Sequence, residues 1–358
     1  TMVRRMNPSV EQLPCRLDAQ LTGWMLKNKK PLLINDFHAD ERFPACRESR
    51  LPIRSLLGVP LLSKGRVIGL ISTFNKNSED GFGEEDQRLL SIIATQSAQA
   101  IENARLLEEE QSLFRIQNEL RMAYEIQTQL LPTETPAIEG YELAGRAIPA
   151  KEVGGDYYDF IAIDDSHLAF CLGDISGKGM PASLLMANLQ AAVRTQTMLS
   201  ASVDDSVTRL NRLLYRSTPP EKFATLFYGV LDTGTHKLRY ANAGHQFPYH
   251  FGGGKTYTEL SSTGTVLGII ESSSFDERTL SFEEGDLLVA YSDGITDAVN
   301  EHDEEFGEER LVDIITACRG KTAHQLVDSI FEVVRQHSGS APQMDDMTLL
   351  AIRREGQK

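Results

Sequence analysis

Cysteine is scarce, with four in 358 residues (Cys15, Cys46, Cys171 and Cys318), no CxxC pair and no cluster. That pattern lacks the paired cysteines of thiolate zinc sites and the cysteine density of a disulfide-built scaffold. Cys171 lies in the apolar run HLAFCLGD, where it reads as a small core residue, and the pattern suits a reducing cytosol. No apolar run approaches the ~18 residues of a membrane span and no secretory signal is visible, so a cytoplasmic protein without a membrane partner is expected. The chain starts at Thr1 rather than at methionine, which suggests a trimmed or processed N-terminus. Basic residues are outnumbered, 36 Lys and Arg against 51 Asp and Glu, for a formal net charge of −15. A nucleic-acid partner would want a basic stripe, and none is present. The acidic excess reads mostly as solvated surface, offset in part by bound divalent metal. The eight histidines include no HExxH, which argues against a zinc protease. SGKG is not a phosphate-binding loop, because Lys178 is followed by Gly179 instead of Ser or Thr. Gly177, Gly179 and Ala182 mimic a dinucleotide fingerprint, but no parallel βαβ unit surrounds them.

What is present is ordinary in bulk, 41% hydrophobic and 24% charged, with length enough for two domains or three. The reading places boundaries at 1–83, 84–131 and 132–358. In the first segment, LDAQLTGWMLKNKKPLLIND predicts a helix and then a strand, with Trp24 and Leu26 on apolar positions. SLLGVPLLSKGRVIGLISTFN predicts two strands joined by a turn at Ser63–Lys64–Gly65. The second segment opens on Glu84, Glu85 and Asp86, which suit the positive end of a helix dipole, and meets no proline or glycine before Pro132. An unbroken helix there would run on the order of 70 Å. Leu113, Ile116, Leu120, Ala123, Gln127 and Leu130 form a heptad seam along it, with Gln127 suited to setting register. A homodimer through this helix is the expectation; the alternative is packing of the seam on the chain's own domains.

The third segment alternates blocks. YELAGRAIPA, GDYYDFIAI, HLAFCLGD, FATLFYGVLD, KLRYANAGH, FPYHF, DLLVAYSDG and MTLLAIRR predict strands. Helices are predicted from Pro181 through ASLLMANLQAAVRTQTML, from about Asp204 to Tyr215, and over EERLVDIITAC and AHQLVDSIFEVVRQH. Blocks of this kind suggest packed sheets with helices outside them, an α/β/β/α sandwich within an α+β chain. Four aspartates stand at the ends of predicted strands beside glycines or turns: Asp156, Asp174, Asp293 and Asp345. Carboxylates gathered in a low-dielectric groove need positive charge among them, and oxygen-only ligands select hard cations such as Mg²⁺ or Mn²⁺. That combination points to metal-assisted hydrolysis. His245, in NAGHQFP, reads as part of a supporting turn and not as a ligand.

Residues 15–107, through PLLINDFHADERFP, SLLGVPLL, GRVIGLISTFN and FGEEDQRLLSIIATQSAQAIENARL, resemble the second half of a GAF domain. Residues 132–354 resemble the metal-dependent protein phosphatases (PPM, type 2C), specifically their bacterial SpoIIE/RsbU branch. The match is carried in order by EVGGDYYDF, LGDISGKGMPASLLMA, FATLFYGVLD, YANAGHQFP, YSDGITDA and DDMTLL. The resemblance implies two ions, with Asp174 bridging them, Asp156 and the carbonyl of Ile175 on one, and Asp293 and Asp345 serving the pair. Asp297 would attend a weaker third ion. Asp346 would brace the loop or stand in for Asp345. Eukaryotic relatives carry a phosphate-gripping arginine four residues before the Asp156 position, where this chain has Glu152, which leaves metal-bound water or a nearby cation such as Lys151 or Lys178 to position the phosphate. The branch implies a serine/threonine phosphatase acting on a phosphorylated STAS-domain anti-sigma-factor antagonist, governed by the N-terminal sensor through the helix. An inactive phosphatase-fold scaffold and a dimeric signalling relay are the rival readings.

Overall fold

The computed structural model describes residues 15–36, 39–43, 53–199, 202–253 and 256–356. The chain divides into two compact units, Thr1–Ile116 and Gln117–Lys358. In the first, helix α1 (Cys15–Asn28) leads to strand β1 (Leu32–Ile34), and β2 (Leu56–Ser63) and β3 (Arg66–Phe74) complete an antiparallel sheet ordered β1-β2-β3. Lys64 and Gly65 both take positive φ at the β2–β3 turn, which matches the right-handed twist of the strands they join. One face of the sheet packs Leu32, Ile34 and Leu56 against Leu21 and Met25 of α1. The other packs Leu57, Val59 and Leu61 against Leu90, Ala94 and Ala98 of helix α2 (Glu84–Leu130). Leu26 is 48% exposed, contrary to the sequence reading. Leu21 and Met25, four apart, set the inward stripe, and the next residue is turned about 100° from it. Part of the FHADERFP stretch, with Phe37, His38 and Pro44, lies outside the described residues.

Helix α2 is continuous for 47 residues. Its seam is not uniform. Leu113 and Ile116 are 62% and 53% exposed, whereas Gln127 is buried within the second unit. Gln127 therefore does not set register between two helices, because its amide is already engaged by its own chain. Among the described residues no helix is long and apolar enough to cross a membrane.

The second unit continues with β4 (Tyr141–Ile148), β5 (Tyr157–Ala162), β6 (His167–Ile175), α3 (Met180–Leu199), α4 (Val203–Ser217), β7 (Ala224–Asp232) and β8 (Lys237–Ala243). There follow β9 (Tyr249–Phe251), β10 (Tyr257–Glu259), β11 (Arg278–Ser281), β12 (Leu287–Tyr291), α5 (Asp293–Thr296), α6 (Gly307–Ala317), α7 (Ala323–Ser338) and β13 (Met347–Arg354). Two five-stranded sheets result, ordered β10-β9-β12-β13-β4 and β11-β8-β7-β6-β5. The pairings between these strands are antiparallel, so the described residues contain no dinucleotide-type βαβ unit.

Alternation along the strands builds three layers of core. Leu168, Phe170 and Leu172 of β6 face Leu288 and Ala290 of β12 and Leu350 and Ile352 of β13 between the sheets. The opposite residues of β6, Ala169 and Cys171, pack under Met186, Leu189 and Leu210 of α3 and α4. Those of β12 and β13, Val289, Tyr291, Leu349 and Ala351, pack under Leu311, Leu326 and Ile330 of α6 and α7. The unit is the expected α/β/β/α sandwich.

Candidate metal and active site

The same period of two that builds the inter-sheet core also places the acids. On β6 the inward row is Leu168, Phe170, Leu172, and the next inward position is Asp174. On β5, which runs antiparallel to β6 with Tyr157 opposite Gly173, the inward row Phe160, Tyr158 continues to Asp156. On β12 the row Leu288, Ala290 continues to Ser292, and Asp293 follows in the first turn of α5. On β13, with Leu349 opposite Tyr291, the row Ile352, Leu350 continues to Thr348 and then Asp346, beside Asp345. Each row is apolar through the core and turns polar at one end. Antiparallel pairing makes it the same end for β5 and β6, and likewise for β12 and β13.

The expected residues are neighbours there. Asp156 is 6% exposed, and its Oδ2 is buried without a hydrogen-bond partner. Burial first, and then the charge of Asp174, push its carboxyl well above the ordinary range; the hydroxyls of Thr348 and Ser292 offset this only in part. Asp174 is pushed up to about 7 by burial and by the charges of Asp293, Asp345 and Asp346. Asp293 is raised by burial and by Asp345 and Asp297. Two like charges ~4 Å apart repel by about 4 kcal/mol at an effective dielectric near 20, a large share of a domain's net stability of ~5–15 kcal/mol. Such a cluster is held by protons or by cations. The carbonyl of Ile175 also faces this corner. A Cβ at Gly155 would stand 3.0 Å from that oxygen and 3.5 Å from Asp174 Oδ1, so only glycine leaves the approach open. Asp297 is exposed, with its amide bonded to Asp293 O at 2.8 Å.

Oxygen donors alone, one of them buried and unpartnered, fit a hard divalent cation. Among the described residues, however, no three acidic, histidine or cysteine side chains already close on one point. A cation of the chain itself stands beside one of these acids: Lys178 Nζ is 2.7 Å from Asp345 Oδ2 and donates to Met344 O at 2.6 Å. Lys151 and Glu152 are exposed, beside Arg121 and Tyr124.

The surrounding shell contains the loop brace expected of Asp346, together with residues that sequence reasoning missed or gave another role. Asp346 braces the loop before β5, accepting from Ala150 N at 2.7 Å and Gly155 N at 2.5 Å. Gln127 clamps Gly154, two residues before Asp156, by donating to Gly154 O at 2.7 Å and accepting from Gly154 N at 3.0 Å. Gln190 of α3 donates to Leu130 O at 3.2 Å, satisfying a carbonyl at the end of α2. Lys222 donates to Ser176 O at 2.8 Å, tying down the loop after β6. None of these contacts leaves a local signal, since each partner is distant in sequence. His245 sits in its turn as expected, with its N–H on Asn242 Oδ1 at 2.8 Å and Nδ1 2.8 Å from Thr225 Oγ1. Burial pushes it down to about 4, so the imidazole is neutral. It lines a cavity of about 40 Å³ with Asp174 and Asp293, room for a water molecule.

Two antiparallel sheets with helices outside and acids gathered at one end define a PPM-type phosphatase domain, here preceded by a sensor-like unit. The profile of the Stage II sporulation protein E (SpoIIE) family matches residues 164–355, more than half of the chain, and that of the GAF domain matches residues 4–102. The chain belongs to the SpoIIE family. The match takes in Asp174, Asp293 and Asp345 and begins after Asp156. Protein IcfG of Synechocystis sp. is 31% identical over 264 residues, which cover 66% of this chain and 41% of that protein. Phosphoserine phosphatase RsbU of Bacillus subtilis is 29% identical over 242 residues, covering 67% of this chain and 71% of that one. The solved SiaA-PP2C domain of Pseudomonas aeruginosa superposes with a TM-score of 0.60 at 21% identity, over 68% of this chain and 98% of that domain. That likeness concerns the fold.

Proposed function

We propose that this chain is a Mg²⁺- or Mn²⁺-dependent protein phosphatase that hydrolyses phosphoserine or phosphothreonine. The observation that carries the reading is the convergence of Asp156, Asp174, Asp293 and Asp345 from separate strands on one end of the sandwich, with a buried Asp156 oxygen lacking any partner. Asp156, Asp174, the Ile175 carbonyl, Asp293 and Asp345 would hold two ions, with Asp297 available to a weaker third. When bound, the ions supply positive charge for the phosphoryl oxygens and an acidified water as nucleophile. The chain's own part is to hold its carboxylates in place. Asp346 and Gln127 do so through the peptide groups of residues 154 and 155. No nucleophilic side chain is needed, which agrees with Cys171 lying fully buried on the helix side of β6 and with a neutral His245. The phosphoserine phosphatase named among the relatives supports the reaction class.

The preferred substrate is a phosphorylated STAS-domain anti-sigma-factor antagonist, as for the branch this chain resembles. We further place control of the reaction in the N-terminal unit, acting through a paired α2. Support for that control is the Gln127 clamp, which makes the end of α2 a direct neighbour of the Asp156 loop. In the test, the full chain is mixed with a serine-phosphorylated STAS protein and phosphate release is followed. Turnover should require Mn²⁺ or Mg²⁺ and vanish in EDTA. Leu120→Asp, on the seam, should shift both turnover and the monomer–dimer balance. Metal-independent release would end the metal-dependent reading, and no release under any condition would end the hydrolytic one; a Leu120→Asp protein with unchanged turnover and mass would end the paired-helix control.

A further inference from the structure

We propose that Lys178 is a tethered cation that competes with a divalent ion for Asp345, so that the site fills completely only when this lysine is displaced. The inference rests on the metal reading above. Lys178 stands in the short loop between β6 and α3, flanked by Gly177 and Gly179 at φ +99° and +75°. A side chain at either flanking position would be strained, and the two left-handed residues allow the loop to bend sharply around the lysine. Its Nζ lies 2.7 Å from Asp345 Oδ2 and 2.6 Å from the carbonyl oxygen of Met344. The other oxygen of Asp345 accepts the amide of Asp346 at 2.9 Å. Both oxygens of this one carboxylate are thus engaged, whereas Asp156 keeps a buried oxygen with no partner. The same ammonium also acts favourably on the charge of Asp293.

The pair is about two-fifths exposed on each side, 40% for Lys178 and 36% for Asp345, so it can open without burying a charge. Two consequences follow. Before any ion arrives, the lysine supplies the positive charge that the acid cluster needs. When ions bind, the one that relies on Asp345 must work against a cation fixed to the adjacent loop, whereas the one at Asp156 and Asp174 meets no such competitor. The two ions should therefore bind with unequal affinity, and the inequality should depend on the charge at position 178.

Calorimetric titration of Mn²⁺ into the full chain, without substrate, reads this directly. The variants are Lys178→Met, which keeps the stem and removes the charge, Lys178→Gln as a second neutral side chain, and Lys178→Arg, which keeps the charge. Both neutral variants should bind the weaker Mn²⁺ about 10-fold more tightly, the effect of removing one close ion pair and its repulsion of the metal. Lys178→Arg should show no such gain. Neutral variants that bind Mn²⁺ no more tightly than the parent, in protein that melts cooperatively, overturn the proposal. If the parent binds Mn²⁺ and Asp174→Asn does not, that result falls on the lysine alone. A parent with no saturable Mn²⁺ binding removes the underlying metal reading and the competition with it.

Discussion

Replacing Asp174 with asparagine is expected to reduce metal-dependent phosphate release at least about 1,000-fold, because several kcal/mol of transition-state stabilisation pass through the ions it helps to hold. Asparagine keeps the size and one oxygen of the side chain but removes the charge at the most crowded point of the cluster. Folding should not suffer. The carboxyl of Asp174 is raised to about 7 in the folded chain, by burial and by three neighbouring acids. For a carboxyl raised by folding, the native state holds the proton more firmly than the unfolded one. Its contribution to stability is therefore greatest at low pH and declines as pH rises from about 4 through about 7. Metal-free Asp174→Asn should melt at or above the parent at pH 8 for that reason, and the gap should close toward pH 5. An inactive variant that melts higher identifies a lost ligand and excludes a lost fold. A variant with undiminished turnover contradicts the assignment of Asp174.

The second large effect is expected at Asp346, which holds no ion in this account. Its two oxygens accept the amides of Ala150 and Gly155, the first partly buried and the second buried. Asp346→Ala leaves both donors without a partner, at a cost of about 3 kcal/mol. Gly155 immediately precedes Asp156, so the loss should also appear as weaker Mn²⁺ binding. Urea unfolding and Mn²⁺ titration of the same preparation separate the two effects. Asp346→Asn should recover part of the stability, since one oxygen remains to accept. Unchanged unfolding and unchanged Mn²⁺ affinity in Asp346→Ala would show that the brace is immaterial.

How far the sequence could be read depended on the kind of contact involved. Strands β5, β6, β12 and β13 are short runs buried on both faces, so each reads as an apolar run that stops at an aspartate beside a glycine or a turn, and the strand-end position of the acids was legible from sequence. Strands β10 and β11 were not, because Tyr257–Glu259 and Arg278–Ser281 are almost entirely exposed edge segments with no apolar alternation to betray them. Gln127 was assigned to a helix pair because a heptad seam looks the same whether it meets a partner helix or the chain's own domain. The structure gives the two ends of that seam different fates, exposed at Leu113 and Ile116 and absorbed at Gln127. Leu26 was misjudged by a single residue of helical phase. Lys178 was read as a candidate phosphate grip, but its bond to Asp345 joins residues 167 positions apart, and no local pattern reports such a pairing.

The most direct measurement is diffraction from crystals of the full chain grown with Mn²⁺, with data collected at the manganese absorption edge. Two anomalous peaks within ligand distance of the Asp156, Asp174, Asp293 and Asp345 carboxylates are the expected result. Manganese bound only elsewhere, or not at all in protein that hydrolyses phosphoserine, would contradict the account.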